Sequence, residues 1–195
     1  MGPFRYRILM VDDDDKLAAI AKAILEMQGY EVHRAADGFD ALTALKQAPP
    51  DVIISDLQMP NMSGFEFLSI VRKRFPNIPT IAISGAFSGT DVPETVLADA
   101  FFEKGQYSPK ELFLRISALL EELPARPHVA RKAEPAVWIP LSDANYVAVT
   151  CSSCLRTFPV PAPLPIGAHT VECDACEAPV SFHITDEFRA HAVIR

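Results

Sequence analysis

The sequence lacks the features that would place the chain in a membrane or outside the cell. No apolar run approaches the roughly 20 residues that a membrane-spanning helix needs. The first residues contain neither the apolar stretch nor the cleavage site of a signal peptide. An excess of positive charge is also absent: 25 Asp and Glu residues outnumber 18 Lys and Arg residues, so the formal net charge is −7. We therefore expect a cytoplasmic protein with no membrane partner, and binding to a nucleic acid backbone is disfavoured.

Cysteine is absent from the first 150 residues, and all four cysteines lie between positions 151 and 176. In a cytoplasmic protein, cysteines grouped in this way indicate metal binding more often than disulfides. The composition also changes near residue 138, where the sequence becomes richer in proline. We predict one domain over residues 5–122, a proline-rich linker over 123–137 and a small cysteine-containing module over 138–195.

The first domain alternates strand and helix signals along its whole length. Short apolar runs predict strands over residues 7–11, 31–35, 80–84 and 100–102, and a further strand that ends on Asp56. Asp37 and Ser108 are placed to begin two of the helices between them, and another helix is predicted over roughly 90–98. Five strands interleaved with five helices predict an α/β fold with a doubly wound parallel sheet.

Acidic side chains follow two of the predicted strands. Asp12 and Asp13 come directly after the first strand, and Asp56 ends the third. In the flavodoxin-like strand order 2-1-3-4-5 these strands are neighbours, so the three carboxylates converge at the edge of the sheet where ligands bind. Clustered carboxylates repel each other unless a cation lies between them. Mg²⁺ fits a site of this kind, because it prefers oxygen ligands and needs few of them from protein.

Two further side chains lie at the same predicted edge. Ser84, after the fourth strand, can donate to a phosphoryl oxygen, and Lys104, after the fifth, can pair with Asp56 or with phosphate. Since aspartate is a nucleophile for phosphoryl groups, the set predicts a phosphoryl-acceptor site. An Asp-dependent phosphatase or phosphotransferase is an alternative. Such enzymes commonly carry a second acid two residues after the nucleophile, and here that position is Gln58.

These motifs, in this order and spacing, resemble the response-regulator receiver domain of two-component signalling. The resemblance covers roughly residues 5–122. It rests on Val11-Asp12-Asp13, on Asp56 with Met59-Pro60-Asn61-Met62-Ser63-Gly64, on Ile83-Ser84-Gly85 and on Phe101-Phe102-Glu103-Lys104. The resemblance implies a switch that is not an enzyme, apart from catalysing its own phosphorylation and dephosphorylation. It also implies a histidine kinase or phosphotransfer protein as partner, and a monomer or a phosphorylation-dependent dimer.

The resemblance further implies a role for each acidic residue. Asp56 would be the phosphoacceptor, and Asp12 and Asp13 would hold Mg²⁺, Asp13 directly. The backbone carbonyl of Gln58 would be a further ligand of the ion. Asp14 and Asp15 are instead expected to start the following helix, where carboxylates favour the helix dipole.

Three other positions take their roles from the same resemblance. Ser84 would be the switch hydroxyl and Lys104 the lysine that pairs with phosphate. Phe101 would be the switch aromatic, although a position in the core explains it equally well. The family usually has proline after the lysine, often in a cis bond. This chain has Gly105 there, which leaves the path of the loop open.

The cysteines form two pairs, Cys151-x2-Cys154 and Cys173-x2-Cys176, with 18 residues between them. This spacing is typical of a zinc site with four thiolate ligands, and the module resembles a zinc ribbon. A closed shell of four thiolates predicts a structural site. A redox or metal-sensing role for the two dithiols is the alternative. The histidines at positions 169, 183 and 191 could substitute as ligands but are not needed.

The output of the protein is harder to predict. No helix-turn-helix, diguanylate cyclase or methylesterase signature is recognisable in the sequence. Residues 138–195 carry more acidic than basic side chains, so contact with a protein is favoured over nucleic acid, which remains an alternative. The extended apolar stretch over 158–166 could be a docking edge, or a connection between the two cysteine pairs.

Overall fold

The computed structural model of the chain describes residues 6–87, 96–121, 137–140 and 145–185. Within these ranges the chain forms four helices and ten strands. The helices are α1 (Asp15–Met27), α2 (Gly38–Gln47), α3 (Gly64–Arg74) and α4 (Pro109–Glu121). The strands are β1 (Arg7–Val11), β2 (Glu31–Ala35), β3 (Val52–Asp56), β4 (Thr80–Ser84), β5 (Ala100–Glu103), β6 (Val137–Pro140), β7 (Tyr146–Thr150), β8 (Thr157–Pro161), β9 (Gly167–Glu172) and β10 (Pro179–Thr185). None of the helices in these ranges is long and apolar enough to cross a membrane.

The first five strands form one parallel sheet in the order β2-β1-β3-β4-β5, which confirms the flavodoxin-like prediction. The helix predicted over residues 90–98 falls largely outside the described residues, and 96–98 are not helical. The linker predicted over 123–137 also lies outside them, except for Val137 at the start of β6.

The sheet is covered by helices on both faces, because successive strand residues point to opposite sides. Ile8 and Met10 of β1 belong to the hydrophobic cluster that contains the buried residues of α1 and α4. Leu9 and Val11, the alternate residues of the same strand, belong to the cluster with α2 and α3. The strands that end at the candidate site are therefore held between two apolar layers.

Each helix begins at a side chain that satisfies free backbone N–H groups. The Asp14 carboxylate accepts hydrogen bonds from the N–H groups of two residues in α1, and Asp37 does the same for α2. Ser63 caps α3. Before α4, Ser108 and Glu111 exchange hydrogen bonds in a capping box. The starts of α1, α2 and α4 are thus where the sequence predicts them.

The C-terminal part of the chain forms two small sheets. β10 lies between β6, to which it is parallel, and β9, to which it is antiparallel. β7 and β8 form an antiparallel pair. The sequence predicts strand-like segments at 146–149, before the first cysteine pair, and at 180–184, after the second, and these are β7 and β10. β6, β8 and β9 were not predicted. Together β6 to β10 are called the cysteine module below.

The cysteine module packs directly on the receiver-like domain. β6 lies against α3, and the buried residues of both parts belong to one hydrophobic cluster. In addition, the Lys46 ammonium group at the end of α2 donates a hydrogen bond of 2.8 Å to the carbonyl oxygen of Leu155. The buried cores of the two predicted parts are therefore continuous in the structure.

Candidate functional sites

Asp56 is the last residue of β3, at the carboxyl edge of the sheet, and it is only 5% exposed. Its Oδ1 atom accepts a hydrogen bond of 3.0 Å from the backbone N–H of Gln58. The next residue, Leu57, donates its N–H to the carbonyl oxygen of Ile83 in β4. The loop that leaves β3 is therefore held on both sides, and the carboxylate has a defined orientation.

The structure brings Asp12, Asp13 and Asp56 together. One carboxylate oxygen from each lies within 4.8 Å of the others. This happens because β1 pairs in parallel with β3, so that both strands end at the same edge. Carboxylate oxygens at this spacing suit a hard divalent cation such as Mg²⁺. Asp14 and Asp15 are outside this group and belong to the start of α1, as the sequence predicts.

Lys104 follows β5 and reaches the same cluster. Its Nζ atom lies 2.5 Å from Oδ2 of Asp56 and 3.3 Å from Oδ2 of Asp12. Burial raises the pKa of Asp56, and the hydrogen bonds from Lys104 and Gln58 offset part of that effect. Burial lowers the pKa of Lys104, but the hydrogen bond and charge of Asp56, followed by those of Asp12, outweigh it and raise the pKa overall. The lysine thus stays charged and holds the place of a cation beside the carboxylates.

Ser84 is the last residue of β4 and is fully buried. Its Oγ atom accepts a hydrogen bond of 3.2 Å from the N–H of Ala86, which leaves the hydroxyl hydrogen as a donor. Its carbonyl oxygen accepts the N–H of Lys104, so the two residues are fixed to each other by backbone as well. Phe101 of β5 is partly buried and packs on the cluster that contains α3. This position fits both a core residue and a switch.

Gly105 adopts a positive φ of 78°. Proline cannot reach this value, because its ring fixes φ near −65°. The loop after Lys104 therefore follows a path here that the proline usual in receiver domains would not permit.

A groove opens beside this cluster, between α1 and α4. It has a volume of about 300 Å³ and includes Asp56 and Lys104 at one end. Leu17 and Ile20 of α1 line it and are 51% and 59% exposed. The acidic cluster is therefore reachable from an apolar surface.

The four cysteines form a second candidate site. Their Sγ atoms all lie within 4.8 Å of one another. Two separations join one pair to the other: Cys151 Sγ to Cys176 Sγ and Cys154 Sγ to Cys173 Sγ, each 3.7 Å. A tetrahedral zinc–thiolate site with bonds of about 2.3 Å has sulfur atoms about 3.8 Å apart, so the set fits zinc. These separations are far from the roughly 2.05 Å of a disulfide.

The two cysteine turns have the same backbone geometry. In each, the residue after the second cysteine, Leu155 or Glu177, is in the left-handed region with φ near 57–58°. Its N–H donates to the carbonyl oxygen of the first cysteine. The first cysteine, in turn, donates its N–H to the carbonyl oxygen five residues later. This repeated turn presents each pair of thiols on one side of the chain, as two equivalent knuckles.

Backbone dipoles favour thiolate at one of these cysteines. The N–H of Ala175, with a smaller contribution from that of Cys176, lowers the pKa of Cys173 to about 7. Thiolates are the form that binds metal. The histidines predicted as spare ligands do not join the cluster: His169 stacks on Phe182 and bonds to the Pro165 carbonyl, and His183 is part of β10. His191 lies outside the described residues.

Three features of the structure were not predicted from the sequence. Lys46 reaches Leu155 across the interface, and Glu66 of α3 is buried, with its Oε1 lacking a hydrogen-bond partner among the described residues. Arg72 of α3 pairs with Asp99 at 2.9 Å. Glu66 and Arg72 are charged residues of α3, a pattern that suggests an exposed face, so no signal in the sequence pointed to their burial. Lys46 carries no signal for its contact either, because its partner is a distant backbone carbonyl.

The sheet order β2-β1-β3-β4-β5, with three carboxylates, a hydroxyl and a lysine at one edge, defines the class of flavodoxin-like α/β domains with a candidate cation site. The profile of the response regulator receiver domain family matches residues 8–112. The chain belongs to this family, and the resemblance noted in the sequence is confirmed.

Relatives and solved structures agree with this assignment. The DNA-binding response regulator MtrA is 31% identical over 150 residues in Mycolicibacterium smegmatis, covering 74% of this chain and 60% of the relative. In Mycobacterium bovis the identity is 33% over the same lengths. A CheY-like receiver domain from Methanospirillum hungatei shares 30% identity at a TM-score of 0.56, and covers 63% of this chain and 98% of its own. The chain thus spans about 60% of the length of these curated relatives.

Proposed function

We propose that this protein is a phosphorylation-dependent response regulator in which Asp56 accepts a phosphoryl group from a histidine kinase or phosphotransfer protein. The observation that supports this most is the convergence of Asp12, Asp13, Asp56 and Lys104 at one edge of the sheet. The cysteine module would bind zinc and take part in passing the signal to a protein partner in the cytoplasm.

In the proposed reaction, a carboxylate oxygen of Asp56 forms a bond to phosphorus while the bond from phosphorus to the donor breaks. The electron pair of that bond leaves with the donor. Lys104, which pairs with Oδ2 of Asp56 before the reaction, then pairs with a phosphoryl oxygen, and the Ser84 hydroxyl donates to another. The N–H of Gln58 keeps the other carboxylate oxygen in place.

Mg²⁺ would be held by Asp12, Asp13 and Asp56, with the backbone carbonyl of Gln58 as a further ligand. When bound, the ion supplies the positive charge that neutralises an incoming phosphoryl group. The fit rests on the three carboxylates within 4.8 Å. Their mutual repulsion, together with the burial of Asp56, makes a cation favourable at this position.

The groove between α1 and α4 supports the approach of a phosphoryl donor protein. Leu17 and Ile20 provide exposed apolar area beside the acceptor site, and exposed apolar patches commonly mark protein contacts. A partner that covers this groove would also exclude water from Asp56.

Phosphorylation can be tested with acetyl phosphate and Mg²⁺ on the intact chain. We expect mass spectrometry to show one added phosphoryl group, and none in Asp56→Asn. Asp40→Asn is the matched control, because Asp40 is an exposed carboxylate in the first turn of α2. If Asp56→Asn gains as much phosphate as the unaltered protein, the assignment is wrong.

Two alternatives have specific support. The lowered pKa of Cys173 suits a redox or metal sensor, and metal analysis after reducing purification tests it. About one zinc per chain supports the structural site, whereas less zinc with reversible disulfides supports the sensor. The relatives named DNA-binding regulators suggest DNA as a target. Salt-dependent binding to duplex DNA would support that alternative.

A further inference from the structure

α3 is joined to the acceptor strand at its first residue. Gly64 lies so close to Asp56 that a Cβ atom added there would be 1.9 Å from the Asp56 carbonyl oxygen. The N–H of Gly64 also donates to the carbonyl oxygen of Leu57 at 3.1 Å. The start of the helix and the end of β3 therefore cannot move independently.

α3 is also joined to the segment that follows Ser84. Phe87 packs edge-on against Phe65 in the first turn of α3, with ring centroids 5.8 Å apart and an angle of 83° between the rings. Asp56 contacts the start of this helix through Gly64, and Ser84 contacts the same end through Phe87, three residues after it.

The outer side of α3 is covered by the cysteine module. All nine residues from Gly64 to Arg72 are buried. A helix on one face of a sheet ordinarily buries a single stripe and exposes the other, so burial all around requires a second layer. β6 supplies that layer, since it packs on α3 and its residues Val137 and Ile139 belong to the same cluster.

The first knuckle is tied to the receiver domain separately. Lys46 of α2 donates to the carbonyl oxygen of Leu155, the residue directly after Cys154. Leu155 is itself buried and donates its N–H to the Cys151 carbonyl. A hydrogen bond from a charged donor is stronger than one between neutral groups. The turn that carries two of the four thiols is therefore held against the receiver domain.

We propose that α3 couples the metal state of the four cysteines to the phosphoryl state of Asp56. Metal binding orders the knuckles and keeps β6 against α3, and α3 keeps the end of the acceptor strand in place. Phosphorylation of Asp56 acts on the same helix from its other side. Coupling between two binding sites is reciprocal. If zinc changes the affinity of Asp56 for a phosphoryl group or its analogue by some factor, occupancy of Asp56 must change the zinc affinity by the same factor. The coupling rests on the proposed function, whereas the stabilisation of α3 by the cysteine module does not.

The first measurement is amide hydrogen exchange on the full chain, with zinc bound and after its removal by a chelator. We expect zinc removal to speed exchange in α3 by about tenfold or more. α1 is the internal reference, because it packs on the opposite face of the sheet in a separate cluster. Lys46→Met, which keeps all four cysteines, should speed exchange in α3 with zinc still bound. Lys22→Met, which removes a half-exposed charge of α1, should not.

The second measurement is the zinc affinity of the full chain, by competition with a chromogenic chelator, with and without beryllofluoride at Asp56. We expect affinities that differ by about fivefold or more, no difference in Asp56→Asn, and a smaller difference in Lys46→Met. Equal affinities in protein shown to carry beryllofluoride would overturn the coupling. If zinc removal changes amide exchange equally in α1 and α3, or does not change it in α3, the cysteine module does not stabilise α3. If α3 responds to zinc but Asp56 never accepts phosphoryl, the proposed function fails while that stabilisation stands.

Discussion

Among single residues, Glu66 has the least expected environment. It lies in α3, is 5% exposed, and one carboxylate oxygen has no hydrogen-bond partner among the described residues. Burial raises its pKa to about 8 from the ordinary 4.5. A buried carboxyl group with this pKa is mostly protonated at neutral pH, which avoids an unpaired charge in the apolar cluster.

The raised pKa makes the stability of the folded protein depend on pH. Between about 4.5 and about 8 the folded state holds a proton on Glu66 that the unfolded state has released. The free energy of unfolding therefore falls as pH rises through this range. Glu66→Gln removes this titrating group, so we expect the free energy of unfolding to fall less with pH. One pKa unit corresponds to about 1.4 kcal/mol, so the difference can reach several kcal/mol. Urea unfolding at about pH 6 and about pH 8.5 measures it. Glu26→Gln, at an exposed position of α1, should show the same dependence of the free energy of unfolding on pH as the unaltered protein. If Glu66→Gln shows that dependence too, Glu66 is not its source.

Lys104 allows a prediction about the acidic cluster. Its ammonium group lies 2.5 Å from Asp56 and 3.3 Å from Asp12, so it competes with any cation for those carboxylates. Lys104→Met should therefore bind Mg²⁺ more tightly, by about tenfold or more as judged from charge–charge energies near a protein surface. Isothermal titration calorimetry measures the affinity, and Lys22→Met is the control for a lost surface charge. Unchanged or weaker Mg²⁺ binding would show that the lysine does not occupy the cation's place.

At the scale of elements, β3 and α3 approach each other closely at Gly64, where even a methyl group would not fit. Gly64→Ala would place Cβ 1.9 Å from the carbonyl oxygen of Asp56, and backbone atoms cannot yield to it without moving the helix. We expect a loss of more than about 2 kcal/mol in the free energy of unfolding by urea. Gly85→Ala is a matched control, because its Cβ would meet only the Lys104 side chain at 3.8 Å. Equal stabilities of the two variants would contradict this close contact.

The elements of the receiver domain could be predicted because their signals are local. The apolar runs, Asp37 and the Ser108 cap specify strands and helix starts without reference to distant residues. α3 is different, because Glu66 and Ser69 interrupt its apolar pattern and suggest an exposed face, yet both are buried. Their burial depends on β6, which follows some 60 residues later and pairs in parallel with β10. A contact between elements so far apart in the sequence produces no periodic pattern within α3 from which it could be predicted.

At the scale of the whole molecule, both candidate sites could be predicted but their connection could not. The carboxylates and the cysteines occur in short motifs, and their residue types and spacing predict which metal ion each group can bind. The sequence over 123–137 predicts a proline-rich linker and carries no signal for a contact between the two parts. The structure instead joins them through one hydrophobic cluster and through the bond from Lys46 to Leu155. The interface makes the cysteine module a second layer of the receiver domain.

A shared core predicts a shared unfolding transition. Trp138 is the single tryptophan of the chain and belongs to β6, so its fluorescence serves as the signal from that strand. Far-UV circular dichroism reports mainly the four described helices, all of which belong to the receiver domain. With zinc bound, we expect both signals to change at the same urea concentration, because β6 cannot leave α3 without exposing residues that are buried from Gly64 to Arg72. Lys46→Met weakens the attachment and should move the fluorescence transition to lower urea, ahead of the helical signal, whereas Lys22→Met should leave them together. Two separate transitions in the unaltered zinc-bound protein would mean that the module and the receiver domain unfold independently.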